Sequence, residues 1–238
     1  MNNNSANEQR KIIVALDYSD IQDAIEMASK LSPSLCRLKV GKELFTSGGP
    51  KLVEMLQKQN YDVFLDLKFH DIPNTTAKAV TAAGSLGVWM VNVHASGGER
   101  MLTAAMEALQ SFKERPMLTA VTVLTSLSEE QLPAVGVHQS VEQQVLTLAT
   151  LTQQSGLDGV VCSAVEAKML REAMGPKFCL VTPGIRPAGA AQDDQVRIVT
   201  PTQAVEWGSD YLVMGRPIRN NPDPCQLLTT LNSELDQL

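Results

Sequence analysis

The chain has 238 residues, 44% of them apolar, enough to bury a full core in one large α/β domain or two small ones. A formal net charge of −6 and a pI near 5.1, with no Lys/Arg cluster, exclude a basic nucleic-acid-binding surface. The apolar runs are only strand-sized, which excludes a membrane-spanning helix, and the polar start Met1-Asn2-Asn3-Asn4-Ser5 lacks a signal-peptide layout, so a cytoplasmic protein is expected.

In chain order, residues 1–10 read as a flexible tail and 11–238 as one catalytic domain. Eight β-rich runs follow: Ile12–Asp17, Leu35–Val40, Asp62–Lys68, Val88–His94, Met117–Leu124, Gly159–Cys162, Phe178–Thr182 and Asp210–Met214. Between them, segments such as Ser96–Phe112, Val141–Gln154 and Ala164–Ala173 carry helical apolar spacing. Eight βα units at roughly 28 residues each match a single (β/α)8 TIM barrel of about 250 residues, with a doubly wound open sheet as the competing α/β arrangement. No Pro/Ser linker divides the chain.

The placement of polar residues favours the barrel, because barrel chemistry sits at the C-terminal strand ends and the loops after them. Asp17 ends the first strand, Lys39 nearly ends the second, and Asp66 and Lys68 end the third. His94 ends the fourth, Thr125-Ser126 follows the fifth, Arg186 and Gln195 follow the seventh, and Gly215-Arg216 follow the eighth. Within Asp66-Leu67-Lys68-Phe69-His70-Asp71-Ile72-Pro73-Asn74-Thr75, period-two geometry puts Asp66 and Lys68 on one face, and Pro73 suits the first turn of a helix beginning near Asn74. A lysine between Asp66 and Asp71 is kept protonated and held in place, which makes it a positioned proton donor. The turns Pro183-Gly184-Ile185-Arg186-Pro187 and Gly215-Arg216-Pro217-Ile218 each pair a glycine with an arginine where barrels bind phosphate, so a phosphorylated small molecule is the expected ligand. Cys36, Cys162, Cys179 and Cys225 form no C-x-x-C pair and read as free thiols of a reducing compartment. The three histidines are not at ligand spacing, so no metal site is expected.

Together these residues resemble the bacterial-type orotidine 5′-monophosphate decarboxylases. The resemblance spans the chain after the tail and is strongest in the Asp-x-Lys-x-x-Asp-Ile-Pro-Asn-Thr run. Val14-Ala15-Leu16-Asp17, Leu38-Lys39-Val40-Gly41, Val91-Asn92-Val93-His94-Ala95 and the two phosphate turns join it. It implies a charged tetrad of Lys39, Asp66, Lys68 and Asp71, with Lys68 protonating C6 after carbon dioxide leaves and Asp66 beside the departing carboxylate. It further implies that Asp17 and Lys39 contact ribose, that Ser126 reads the pyrimidine edge, and that Gln195 spans base and phosphate. Arg186, Gly215 and Arg216 would form the phosphate end. Asp71 and Thr75 would reach into the neighbouring site of a homodimer, and no cofactor would be needed. His70 and His94 are read as structural. Similar too are the magnesium-using 3-keto-gulonate-phosphate decarboxylase and hexulose-phosphate synthase barrels. They need a metal-binding carboxylate where this chain has Lys39, and Glu43 falls beyond the strand. A catalytically silent nucleotide-binding barrel is the remaining alternative.

Overall fold

The structure, a computed structural model, describes residues 10–187 and 199–238. Eight parallel strands close on themselves in sequence order, with the first pairing both the second and the eighth: β1 (Ile12–Ala15), β2 (Arg37–Gly41), β3 (Val63–Phe69), β4 (Met90–His94), β5 (Met117–Val121), β6 (Gly159–Val161), β7 (Cys179–Pro183) and β8 (Tyr211–Met214). Closure explains why the strands read as nearly continuous apolar runs. One face packs into the barrel and the other against helices, so neither meets water. Ile13, Ala15, Phe64, Met90, Val181 and Val213 fill the interior, while the alternate residues Ile12, Val14, Leu38, Leu65, Val91 and Val93 face the helical layer.

The helices are α1 (Ile21–Ser29), α2 (Lys42–Gln57), α3 (Pro73–Ser85), α4 (Glu99–Leu109), α5 (Val141–Gln154), α6 (Ala167–Met174), α7 (Pro201–Glu206), α8 (Arg216–Arg219) and α9 (Pro224–Leu235). Local chemistry sets their starts. Asp20, Ser140, Thr200 and Asp223 cap α1, α5, α7 and α9 by accepting backbone N–H groups, and Pro73, Pro201, Arg216-Pro217 and Pro224 put a proline in the first turn, where its missing N–H costs nothing. The helix expected over Ser96–Phe112 is broken, since Gly98 at φ 84° separates a 3₁₀ turn at Ala95–Gly97 from α4. The one expected from Ala164 likewise begins as a 3₁₀ turn, with Ser163 and Glu166 capping it reciprocally before α6. Three strands also end early, at Ala15, Val121 and Val161, because ladder pairing stops there and Asp17, Leu124 and Cys162 lie beyond it.

The end of the barrel away from these loops is closed by charge and aromatic rings. Arg37 is buried over the Trp89 ring at 4.3 Å and the Tyr211 ring at 5.2 Å. Asp62 pairs with Arg10 at 2.6 Å and with Arg37 at 3.4 Å. Arg10, assigned to the tail from sequence, is only 4% exposed and belongs to this closure. Asp158 and Asp210 repeat the device, each binding an arginine (Arg115, Arg171) at 2.6 Å and a strand N–H (Leu118, Leu180) at 2.7 Å. Aspartates entering strands from helices thereby satisfy donors the parallel ladder leaves open.

Candidate active site

At the opposite mouth, a cavity of about 320 Å³ is walled by strand ends and loops from around the barrel. Its floor is a chain of alternating charges. Lys39 on β2 points its Nζ at Asp17 Oδ1, 3.1 Å away, and at Asp66 Oδ2, 3.3 Å away. The other Asp66 oxygen, Oδ1, accepts from Lys68 Nζ at 2.5 Å. Asp66 and Lys39 are each 8% exposed, whereas the Lys68 side chain is 25% exposed and borders the cavity. Burial alone would raise the Asp66 carboxyl, but the Lys39 and Lys68 charges, and then hydrogen bonds from Lys68 and Asn92, hold it below the ordinary carboxylate range.

Lys68 reaches this position through a backbone irregularity. The β3–β4 register runs from Leu65↔Val91 to Phe69↔Val93, so β3 carries two extra residues against β4. Lys68 sits in that bulge at φ 52°, a left-handed conformation costing a non-glycine residue about 1–2 kcal/mol. Its N–H, displaced from the ladder, donates to Asn92 Oδ1 at 2.8 Å. Asn92 is fully buried, and its Nδ2 donates to Asp66 Oδ1 at 2.7 Å. Period two put Asp66 and Lys68 on one face, as found, but it gave no sign of the bulge. Gly41 supports the cluster by being small, since a Cβ there would lie 3.3 Å from Lys39 Nζ.

Phe64, Val121, Val123, Leu124, Val161 and Ile185 supply apolar wall, and Arg186, Gly215 and Arg216 from the turns after β7 and β8 also line the cavity. Gly184 takes φ 81°, open to glycine, where the chain turns after β7. Arg186 is 5% exposed and its N–H donates to Val199 O at 3.1 Å, which ties together the two ends of the β7–α7 loop. Gln195 lies outside the described residues. Arg219 also borders the cavity, donating to the Asp17 carbonyl at 2.6 Å with its guanidinium 4.9 Å from the Tyr18 ring, so α8 holds the loop that presents Asp17.

Three residues singled out from sequence lie away from this cavity. Ser126 is exposed and its neighbour Thr125 lines the wall; the two are the central residues of a turn closed by the Leu127 N–H donating to Leu124 O at 2.8 Å. Asp71 and Thr75 are exposed at the start of α3, beside an Ile72 that is 66% exposed. The Asp71 carboxylate accepts from the Ile72 N–H at 2.6 Å and, among the described residues, has no ion pair. One chain therefore assembles Lys39, Asp66 and Lys68 with Asp17, but not Asp71. His94 lies 5.4 Å from His70, centroid to centroid. Burial, then the nearby His70, Lys42 and Lys68, lower its pKa to about 4, so it is neutral at pH 7. Asn92 and Gly41, quoted only within runs that carry the resemblance, and Arg219 were given no role from sequence. Asn92 left one signal, being the only polar side chain inside the run Met90–Val93.

Among the described residues no group of three His, Cys, Asp or Glu gathers to hold a metal ion, and the described cysteines are unpaired. No helix among them is long and apolar enough to cross a membrane.

A closed (β/α)8 barrel with a charged, partly apolar cavity at its C-terminal mouth defines a class of small-molecule barrel enzymes. Residues 10–229 match the model of the orotidine 5′-phosphate decarboxylase / HUMPS family. An orotidine 5′-phosphate decarboxylase of Hahella chejuensis is 58% identical over 228 residues, 96% of this chain and 98% of that protein. One of Vibrio campbellii is 57% identical over 227 residues, 95% of this chain and 97% of its own. The crystal structure of orotidine 5′-phosphate decarboxylase from Lactobacillus acidophilus superposes with a TM-score of 0.85 at 40% identity, covering 94% of this chain and 98% of the other. The chain belongs to the orotidine 5′-phosphate decarboxylase / HUMPS family.

Proposed function

We propose that this protein decarboxylates orotidine 5′-monophosphate to UMP, a step of pyrimidine biosynthesis, without a metal or organic cofactor. The observation that carries the reading is Asp66, buried between the Lys39 and Lys68 ammonium groups in an apolar-walled cavity that Arg186 and Arg216 also line. Its relatives named orotidine 5′-phosphate decarboxylase support the same substrate. The magnesium-dependent alternative fits poorly, because an ammonium group sits at each Asp66 oxygen and a protonated lysine cannot ligate a cation.

The C6–carboxylate bond breaks, carbon dioxide leaves, and the electron pair stays on C6. Lys68 then transfers a proton from Nζ to C6 and is reprotonated from solvent. Asp66 near the substrate carboxylate supplies repulsion, roughly 4 kcal/mol at 4 Å and an effective dielectric of 20, part of it screened by Lys68. Enzymatic accelerations need about 8–23 kcal/mol, so repulsion is the smaller part. The larger share comes from the Lys68 charge facing the developing carbanion in a dry site, and from phosphate binding energy spent on holding the substrate against it. Asp17 and Lys39 face the ribose, Arg186, Gly215 and Arg216 the phosphate, with Gln195 between base and phosphate. Thr125, which lines the cavity, replaces Ser126 as the hydroxyl at the pyrimidine edge.

The substrate would arrive at an incomplete charge set, since neither Asp71 nor Thr75 lines its own cavity. A homodimer in which both reach the partner's site completes it, and the exposed Ile72 beside them gives that contact an apolar centre. Mixing Lys68→Ala with Asp71→Ala protein tests this. Mixed dimers should recover about a quarter of wild-type activity, half the dimers being mixed and each holding one intact site. No recovery would place the tetrad within one chain. The reaction itself is tested by the absorbance decrease as orotidine 5′-monophosphate becomes UMP, in excess EDTA. Sustained turnover is expected; turnover that needs added magnesium would move the chain to the sugar-phosphate branch of its family, and UMP binding without turnover would make it a silent binder.

A further inference from the structure

We infer that Asn92 is a positioning residue for the decarboxylation, holding the catalytic lysine and its carboxylate partner in one geometry from the neighbouring strand. The inference rests on the function proposed above. β4 places Met90 and Asn92 on its inner face, with Met90 in the packed interior and Asn92 one layer nearer the cavity. There the side chain does two things at once. Its Oδ1 accepts the Lys68 N–H at 2.8 Å, replacing the ladder partner that the bulge removes and stabilising a left-handed residue which would otherwise relax. Its Nδ2 donates to Asp66 Oδ1 at 2.7 Å, the same oxygen that receives Lys68 Nζ at 2.5 Å. The backbone of Lys68, its ammonium group and the Asp66 carboxylate thus share one amide. A carboxylate that could rotate would carry the ammonium with it, and misplacement by about 1 Å can cost roughly 10²-fold in rate.

The groups facing Asp66 are Lys39 from β2, Lys68 on its own strand, and Asn92 and the neutral His94 from β4, with Asp17 acting through Lys39. Asn92 is the uncharged donor among them. Removing it leaves the Lys39 and Lys68 charges in place but takes one hydrogen bond from the ionised carboxylate, so the Asp66 pKa rises. An Asp66 that must be ionised then limits kcat/KM at a higher pH, and the acid limb moves upward.

Two variants separate positioning from packing. Asn92→Leu keeps the branched side-chain shape at a larger volume and loses both hydrogen bonds, whereas Asn92→Asp keeps the acceptor for the Lys68 N–H and sets a second carboxylate against Asp66. Asn92→Leu should lower kcat by about 10²-fold while the Kd for UMP stays within about threefold. Asn92→Asp should move the acid limb upward further than Asn92→Leu. Full kcat in Asn92→Leu would reduce the residue to a space-filler and overturn the inference. The carboxyl ¹³C titration of Asp66 in wild type and Asn92→Asp decides the point without any turnover. An upward shift supports the inference and an unmoved titration overturns it, even where the wild type consumes orotidine 5′-monophosphate. Failure of the wild type to turn over overturns the proposed reaction and is read separately from that titration.

Discussion

Lys68→Ala should abolish turnover, lowering kcat by roughly 10⁴-fold or more, while the Kd for UMP changes little. Two contributions end with that ammonium group. A positioned general acid supplies typically 10²–10⁴-fold, and a fixed charge facing developing negative charge supplies another 10²–10³. Both act on the carbanion and not on bound UMP, whose ring is neutral, so the loss should fall on kcat and spare product affinity. Removing the ammonium also leaves Asp66, 8% exposed, with Lys39 as its one remaining cation among the described residues. Its pKa should rise, and with it the pH below which any residual activity fades. The measurement is single-turnover decay of orotidine 5′-monophosphate absorbance, with UMP binding by calorimetry as control. Retained turnover would mean that the proton comes from another group.

Arg216→Ala should lower kcat/KM for orotidine 5′-monophosphate by roughly 30- to 5,000-fold. Arg216 follows β8 and lines the same cavity as Lys68, and in the proposed reaction its effect comes through the phosphate. Truncating one partner of a hydrogen-bonded charge pair costs about 2–5 kcal/mol, and each 1.36 kcal/mol is tenfold in rate. The same substitution should leave the slow decarboxylation of the phosphate-free nucleoside unchanged, because there is no dianion to lose. Equal losses on both substrates would mean that Arg216 supports the fold of the β8–α8 turn. An unchanged kcat/KM on the phosphorylated substrate would remove the phosphate clamp altogether.

Much of the site was legible because strand-end chemistry is local. Asp66 and Lys68 are two residues apart on one strand, and period two predicts their shared face. The Gly-Arg pairs after β7 and β8 announce themselves in the same way. Asp71 shows where locality stops. Three residues beyond Lys68 in sequence, it is exposed and does not line the cavity, its carboxylate accepting from the Ile72 N–H at the turn into α3. Ser126 and Thr125 differ by a single position, and only the path of the loop selects which hydroxyl faces the cavity.

Alternation of apolar strands with amphipathic helices, and the residue types at each strand's C-terminal end, determined the barrel and most of its charged mouth before any coordinates. Both arise from short-range periodicity, which burial on two faces imposes directly on the sequence. The tertiary structure alone decided which ammonium meets which carboxylate oxygen, that Lys68 stands in a left-handed bulge, and that Asn92 braces it from β4. Apart from the Lys68–Asp66 pair, those contacts join residues 22 to 27 positions apart on neighbouring βα units. Their register depends on where a bulge interrupts the ladder, and no pattern within a single strand encodes that.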